Sequence, residues 1–248
     1  MSAQPDHTPR LALVTGAAHG IGRAVARQLA EDGMDIIACA TTKSQGALEE
    51  LDDEIRNLGR SCTLVPFDLT DFDAIDRLGE AIYNRWGRLD VLIANAGVLG
   101  PLTPLSHIEV KDWHKTMDVN VTANWRLIRA MEPLLKQAES PRAVFVTSGA
   151  AHKHKAYWGA YGVTKAALEA LALTFATECN ITDIKVNVVD PGPIRTRMRR
   201  EAVPGEDPET LPTPEQIAAL FAELADSSNQ RHGDVISFYD WANLTRPA

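Results

Sequence analysis

Short apolar runs alternate with longer amphipathic segments along this 248-residue chain. The runs, such as Leu11–Thr15, are apolar at consecutive positions, which is typical of strands that are covered on both faces. The longer segments carry apolar residues at helical spacing, and Gly33, Gly59 and Gly87 stand where three of those helices are expected to end. A regular alternation of strand and helix predicts a parallel sheet with helices on both of its faces.

The pattern predicts seven strands, at 11–15, 35–40, 62–66, 89–94, 143–147, 185–189 and 234–238. It predicts helices at 21–32, 45–58, 71–86, 112–138, 161–178 and 214–225; the fourth contains Pro133, where a helix can bend. Residues 190–212 hold five prolines, so we expect an irregular excursion there, which is a candidate lid. The expected fold is a single doubly wound, Rossmann-type α/β domain at 10–248, with a seven-stranded parallel sheet, after a flexible tail at 1–9.

Composition and charge exclude several classes of protein. The chain has 25 Lys and Arg against 33 Asp and Glu, a formal net charge of −8, and no basic stripe, which argues against binding of nucleic acid or anionic membranes. No apolar stretch approaches the roughly 18–20 residues of a membrane span, and the first ten residues lack the apolar core of a signal peptide. The widely spaced Cys39, Cys62 and Cys179 predict reduced thiols in a cytoplasmic protein and no metal site.

A glycine-rich turn, Thr15-Gly-Ala-Ala-His-Gly-Ile-Gly22, joins the first predicted strand to the first predicted helix. Glycines at this point let the backbone approach a pyrophosphate, and the helix N-terminus offers N–H groups and the positive end of the helix dipole. The spacing Gly-x-x-x-Gly-x-Gly differs from the usual Gly-x-Gly-x-x-Gly fingerprint of dinucleotide-binding proteins. A purely structural turn is the alternative interpretation of these three glycines.

Further motifs follow that turn in an order and spacing that resembles the short-chain dehydrogenase/reductase family. They are Asn95-Ala-Gly97, Ser148, Tyr161-x-x-x-Lys165 and Pro191-Gly192, and the resemblance spans residues 11 to about 240. Within the family the chain is similar to the 3-oxoacyl-[acyl-carrier-protein] reductase branch, and its segment from Trp158 to Pro208 is similar to uncharacterised bacterial oxidoreductases. The resemblance implies an enzyme that transfers a hydride between a nicotinamide cofactor and a carbonyl or alcohol substrate.

The Tyr161 and Lys165 side chains lie four residues apart on one face of a predicted helix. The phenol of free tyrosine, with a pKa of about 10, is a poor acid–base catalyst near neutrality, and a nearby ammonium together with the positive charge of an oxidised nicotinamide favours its phenolate. By resemblance, Tyr161 exchanges the hydroxyl proton, Lys165 also holds the nicotinamide ribose, and Ser148 binds the substrate oxygen. The resemblance makes Asn120 the fourth member of the tetrad, binding a water that relays protons to the lysine.

Several of these residues also have a non-catalytic interpretation. Tyr161 and Lys165 alone would also suit a solvated helix face, and Asn120 would suit either a surface position or a position that bends a helix. Thr147 is an alternative hydroxyl to Ser148, although we expect it to point into the sheet. A second class of function, a cofactor-binding regulator or scaffold without turnover, is disfavoured because all four tetrad positions are filled.

The resemblance also implies a set of cofactor contacts distributed over several turns. They are Gly16, His19, Gly20, Ile21, Gly22, Thr41, Thr42, Asp68, Leu69, Asn95, Ala96, Gly97, Tyr161, Lys165, Pro191, Gly192, Ile194 and Thr196. Asp68-Leu69 is expected at the adenine, 95–97 at the adenine ribose, and Ile194 and Thr196 at the nicotinamide carboxamide. Asp68 is alternatively a helix cap, since Thr70 and Asp71 follow closely.

The choice of cofactor depends on the end of the second predicted strand. An acidic residue there would bind the adenosine ribose hydroxyls and repel a 2′-phosphate, whereas this chain has Ala40-Thr-Thr-Lys43. We therefore expect NADP rather than NAD. NAD stays open, because His19 stands where family members that use NADP often carry an arginine.

Two segments and a pair of helix surfaces have features that the family motifs do not explain. His152-Lys-His-Lys155 lies between Ser148 and Tyr161; a solvated basic loop is the default interpretation, and attraction of an anionic substrate or carrier protein is the alternative. The family's usual Gly-Gly after the last strand is replaced by Phe238-Tyr-Asp-Trp241. We also expect a homo-oligomer, a tetramer or dimer, through the helices at 112–138 and 161–178, unless their apolar residues all lie in the monomer core. Those residues are Leu127, Ile128, Leu134, Leu135, Leu168, Leu171, Leu173 and Phe175.

Overall fold

Residues 9–245 are described by the structure, a computed structural model. Its strands are β1 (Leu11–Thr15), β2 (Asp35–Ala40), β3 (Cys62–Pro66), β4 (Val91–Ala94), β5 (Arg142–Val146), β6 (Lys185–Asp190) and β7 (Val235–Ser237). Its helices are α1 (Gly20–Glu31), α2 (Gln45–Asn57), α3 (Phe72–Trp86), α4 (Val110–Met117), α5 (Ala123–Leu135), α6 (Ala150–Lys153), α7 (Gly159–Glu178), α8 (Arg197–Ala202), α9 (Pro214–Ala225) and α10 (Phe238–Thr245). Apart from Pro9, the predicted tail lies outside the described residues.

The seven described strands form one parallel sheet in the order β3-β2-β1-β4-β5-β6-β7. Strand β1 pairs with β2 on one side, Leu13 opposite Ile37, and with β4 on the other, Leu13 opposite Leu92. The strand order therefore reverses at β1, and a crevice opens there at the carboxyl ends of the strands, where open α/β sheets bind ligands. The predicted fold, a doubly wound sheet of seven parallel strands, is confirmed.

Two apolar cores lie on opposite faces of the sheet because successive strand side chains point in opposite directions. Val14 faces the core formed with α1, α2 and α9, whereas its neighbour Leu13 faces the core formed with α3, α5 and α7. Local signals set the bounds of α3: the Asp71 side chain accepts a hydrogen bond from the Ala74 N–H at 3.0 Å, and Gly87, at φ 72°, ends the helix. Within residues 9–245 no helix is long and apolar enough to cross a membrane.

The predicted helix at 112–138 is wrong in one respect. It divides into α4 and α5, joined by a wider π-helical turn at Asp118–Thr122, whereas Pro133 lies inside α5. A π turn inserts one residue into the helical ladder and is common at functional sites. The interruption thus occurs around Asn120, not at the proline.

Short helices were also missed. Helix α8 lies inside the predicted irregular segment 190–212, because residues 194–203 contain no proline and Thr196 caps the helix, its side chain accepting from the Arg199 N–H at 3.2 Å. An ion pair between Arg199 and Glu206 then folds the segment onto itself. The four-residue helix α6 follows β5, and α10 begins at Phe238, where the last predicted strand was expected to continue.

Candidate active site

The glycine turn after β1 is a cradle with no room for side chains. A Cβ on Gly22 would lie 2.3 Å from the Gly16 carbonyl oxygen and 2.5 Å from the Asn95 Nδ2, and Gly16 and Gly20 adopt φ values of 68° and 54°. His19 precedes α1 without capping it through its side chain, so the first N–H groups of α1 have no side-chain acceptor. Glycine backbone beside an uncapped helix N-terminus fits the pyrophosphate of a dinucleotide.

The ends of β1 and β4 are tied together beside this cradle. The Thr15 Oγ1 accepts hydrogen bonds from the backbone N–H groups of Asn95 and Ala96, both at 3.1 Å, and the Asn95 Nδ2 donates to the Thr15 carbonyl at 2.9 Å. A Cβ on Gly97 would lie 3.2 Å from the Asn120 Oδ1 and 3.4 Å from the Lys165 Nζ. The loop at 95–97 therefore links the cradle to two members of the predicted tetrad.

Asn120 is fully buried in the π turn, so the alternative of a surface asparagine is wrong. Its Oδ1 accepts from the Val98 N–H at 2.8 Å, and its Nδ2 donates to the Val98 carbonyl and to the Thr164 Oγ1, both at 2.9 Å. The amide is thus satisfied by protein groups, and it clamps the loop after β4 to α7. Its backbone carbonyl accepts from the Asn124 Nδ2 at 2.9 Å.

Tyr161 and Lys165 are both buried on the inner side of α7. Lys165 Nζ donates to the Val146 carbonyl at 2.7 Å and lies 5.7 Å from the centre of the Tyr161 ring. Burial lowers the pKa of Lys165 to about 8. Burial also raises the pKa of Tyr161 to about 12; a hydrogen bond with the Ser148 side chain opposes this rise and the charge of Asp190 adds to it.

Burial thus places the pKa of Tyr161 above that of free tyrosine, and the expectation that the lysine ammonium together with the charge of an oxidised nicotinamide favours the phenolate stays a prediction. Desolvation of the phenolate is the largest cause of this rise, and burial also disfavours the charged form of Lys165. At neutral pH the side chain is a phenol beside Ser148. Such a group is set up to donate a proton.

Two charged side chains that sequence reasoning did not assign lie beside Ser148. The Asp190 Oδ1 accepts from the Gly192 N–H at 2.9 Å, and a Cβ on Gly149 would lie 3.2 Å from the Asp190 Oδ2 and 3.3 Å from the Lys153 Nζ. A carboxylate and an ammonium therefore flank the glycine that follows the serine. The available signal was an acidic residue at the carboxyl end of β6, directly before Pro191.

A buried carboxylate one turn beyond Lys165 was also missed. Glu169 accepts from the Thr147 Oγ1 at 3.2 Å and pairs with the His152 Nε2 at 3.0 Å. Thr147 is buried, as expected, but its hydroxyl points towards α7 and not into the sheet, so Ser148 is the hydroxyl next to Tyr161. His152 of the basic segment is tied to Glu169, and that segment continues to Trp158, whose ring packs edge-on to Tyr161 with centroids 6.1 Å apart. A single glutamate in an apolar stretch of α7 was the signal for this contact.

The residues expected at the adenine follow β3, and those expected at a 2′-phosphate follow β2. The Asp68 Oδ1 accepts from the backbone N–H and the hydroxyl of Thr70 at 2.9 and 2.8 Å, and these bonds, with Lys115 and Lys43, lower the pKa of Asp68. Asp71, and not Asp68, caps α3. Leu69 packs in the apolar core, while Thr41 and Thr42 are exposed after β2.

At the other end of the crevice, a Cβ on Gly20 would lie 3.3 Å from the Thr196 Cγ2, so the loop at 191–196 approaches the glycine cradle. The Ile194 side chain is buried in the core, which leaves its backbone to face the crevice. The predicted turns at 16–22, 95–97 and 191–196 therefore meet in one rim along the carboxyl edge of the sheet.

A parallel sheet with a glycine cradle at its switch point, and a buried tyrosine–lysine pair beside it, defines a nicotinamide-dependent oxidoreductase. The chain belongs to the short-chain dehydrogenase family, whose model matches residues 10–207. It is 34% identical to the uncharacterised oxidoreductase YciK of Escherichia coli K12 over 225 residues, which cover 90% of this chain and 88% of that protein. It is also 34% identical over 238 residues to a 3-oxoacyl-[acyl-carrier-protein] reductase of rhamnolipid biosynthesis in Pseudomonas aeruginosa, covering 88% of this chain and 90% of the relative.

Among solved structures, a short-chain dehydrogenase of Shigella flexneri 2a in complex with NADP superposes with a TM-score of 0.87 at 33% identity, over 94% of this chain and 99% of that chain. The family, and the similarity to both groups named in the sequence analysis, are confirmed. The protein is an NAD(P)-dependent dehydrogenase or reductase.

Proposed function

We propose that the protein is an NADPH-dependent oxidoreductase of carbonyl and alcohol groups that acts through Asn120, Ser148, Tyr161 and Lys165. One observation carries the proposal: the Tyr161 phenol lies beside the Ser148 side chain and one helical turn from a buried lysine. Both side chains lie at the carboxyl edge of the sheet, beside the glycine cradle. This arrangement supports proton transfer to a carbonyl oxygen next to a bound dinucleotide.

Each of the four side chains has its own role in this mechanism. The nicotinamide, when bound, supplies or accepts the hydride. Ser148 holds the substrate oxygen, and Tyr161 gives it a proton in reduction or takes one in oxidation. Lys165 binds the nicotinamide ribose through the Nζ that now reaches the Val146 carbonyl, and Asn120 holds the loop after β4 against α7 and offers its carbonyl to a relay water.

The remaining rim residues would hold the cofactor. The turn at 16–22 receives the pyrophosphate, Asp68 and the Leu69 backbone receive the adenine, the loop at 95–97 receives its ribose, and the loop at 191–196 receives the carboxamide. NADP is favoured over NAD because no carboxylate occupies Ala40–Lys43 and because Lys43 offsets the charge of a 2′-phosphate. The Shigella flexneri relative was solved with NADP.

Fluorescence titration with NADPH and NADH, followed by turnover of a panel of small carbonyl compounds, tests the proposal. We expect tighter binding of NADPH and reduction of at least one carbonyl class by the native protein. NADH binding tenfold tighter, which equals about 1.4 kcal/mol, would overturn the choice of NADP. Tight NADPH binding with no turnover of any carbonyl or alcohol would favour the cofactor-binding regulator.

We also propose that the enzyme is a cytoplasmic homo-oligomer, although most of the residues expected at its interface lie in the core of the chain. Of those eight, only Leu171 and Leu173 are partly exposed, and the other six are buried in the core of the chain. Helix α7 is nevertheless apolar on its outer side as well, with Val163, Ala166 and Ala170 exposed, and α5 exposes Trp125. Light scattering of native protein and of the Ala166→Glu variant tests this: we expect a dimer or tetramer that the variant dissociates, and a native 27 kDa species alone would overturn it.

A further inference from the structure

The aromatic segment that replaces the family's Gly-Gly fixes α10 to the body of the protein. Phe238 is buried in the core shared by α1, α2 and α9. The Trp241 Nε1 donates to the Glu223 Oε2 on α9 at 2.7 Å, and the rings of Phe238 and Trp241 lie 6.0 Å apart. The start of α10 is therefore held on one side by two of its three aromatic residues.

The third aromatic residue, Tyr239, contacts the loop at 191–196. A Cβ on Gly192 would lie 2.6 and 2.8 Å from two carbons of the Tyr239 ring, so the ring lies flush against bare backbone. Gly192 adopts φ 62°, a conformation that favours glycine for a second reason. The Tyr239 hydroxyl donates to the Pro193 carbonyl at 2.8 Å.

The same loop is held from the strand side. Asp190 accepts from the Gly192 N–H, so the Gly192 residue is fixed between a carboxylate and an aromatic ring. The Tyr239 ring is itself oriented by an edge-on contact with Phe238, at 5.6 Å between centroids. The backbone at 192–193 is thus contacted by one group on β6 and one on α10.

We propose that Tyr239 is a positioning residue for the nicotinamide half of the cofactor: its ring and hydroxyl hold the 192–193 backbone in the shape that receives the carboxamide. This inference rests on the proposed function, in which the loop at 191–196 binds that group. The adenosine half of the cofactor lies at the other end of the crevice, beyond the reach of Tyr239. Loss of the tyrosine should therefore weaken one half of the cofactor's binding and spare the other.

The test compares NADPH with 2′,5′-ADP, which carries the adenosine half and no nicotinamide. Tyr239→Ala should raise the Kd of NADPH about tenfold or more, and Tyr239→Phe, which keeps the ring and loses one hydrogen bond, should raise it about threefold. The Kd of 2′,5′-ADP should not change in either variant. Leu244→Ala, at an exposed position of the same helix, is the matched control and should alter neither constant.

Equal weakening of NADPH and 2′,5′-ADP would show that Tyr239 only supports the fold, and unchanged binding of both would show that it has no part in cofactor binding; either result overturns the inference. If Tyr239→Ala fails to fold, the Tyr239→Phe comparison decides alone. Failure of the proposed function is recognised separately, because the native protein itself would then bind 2′,5′-ADP and NADPH with the same affinity or bind neither.

Discussion

Replacing Lys165 by methionine should make the protein more stable while abolishing its turnover. The lysine Nζ is buried and its pKa is lowered from 10.5 to about 8. The ammonium form is therefore less stable in the folded protein than in the unfolded chain. At about 1.4 kcal/mol per pKa unit, this difference corresponds to a destabilisation of about 3 kcal/mol. Methionine has a similar length and no charge, so the variant does not bear the free-energy cost of burying an ammonium.

The substitution also removes the hydrogen bond between the Lys165 Nζ and the Val146 carbonyl, which offsets about 1–2 kcal/mol of the gain. The net stabilisation at pH 7 is therefore about 1–2 kcal/mol, which for a chain of this length raises Tm by roughly 2–8 °C. Its pH dependence has a definite sign. The folded-state pKa is below the unfolded one, so the destabilisation is complete below about pH 8 and fades as the pH rises towards 10.5.

Thermal unfolding followed by circular dichroism, without added nucleotide, at pH 7 and pH 10 measures both effects. We expect the methionine variant to melt above the native protein at pH 7 and close to it at pH 10. Lys111→Met, at an exposed position of α4, is the matched control and should shift neither curve. A variant that melts below the native protein at pH 7, or whose advantage is the same at both pH values, would refute the reasoning.

Other substitutions separate the roles of the remaining groups. Tyr161→Phe should lower turnover by about 10²–10⁴-fold and leave the Kd of NADPH nearly unchanged, as measured by steady-state kinetics and titration; near-native turnover would contradict the acid–base role. Asp190→Asn keeps the acceptor for Gly192 and removes the charge that raises the pKa of Tyr161, so the pH–rate profile of alcohol oxidation should move to lower pH. A profile that stays in place would contradict this. Thr41→Asp should reverse the preference for NADPH over NADH in the ratio of kcat/KM values, and an unchanged ratio would disprove the role assigned to this turn.

Local sequence signals were enough for most of the fold. Strand β2 and helix α9 have the predicted bounds, because apolar runs and glycine or proline punctuation act within a few residues of each element. Helices α6 and α10 were not predictable in this way, since they are short and depend on contacts made across the chain. Helix α10 forms because Phe238 enters the core and Trp241 reaches Glu223 on α9.

The candidate site likewise has features that the sequence predicts and features that depend on contacts across the fold. The spacing of Tyr161 and Lys165 on one helix predicted that they share a face, and both lie on the inner side of α7. The π turn at Asn120 was not predictable, because it accompanies hydrogen bonds to Val98 and Thr164, which are distant in sequence. The raised pKa of Tyr161 also depends on burial by the whole fold.

The ties between Thr15 and Asn95, and between Asn120 and Val98, have a consequence for how the site can change over time. They join loops through backbone groups, so the part of the crevice assigned to the cofactor is built before any ligand arrives, and little ordering entropy opposes binding there. The segments around α8 and α6, by contrast, are held by contacts between side chains, Arg199 with Glu206 and His152 with Glu169. A single substitution removes such a pair and leaves the cradle intact, so new substrates can be acquired without rebuilding the half of the site that carries the redox chemistry.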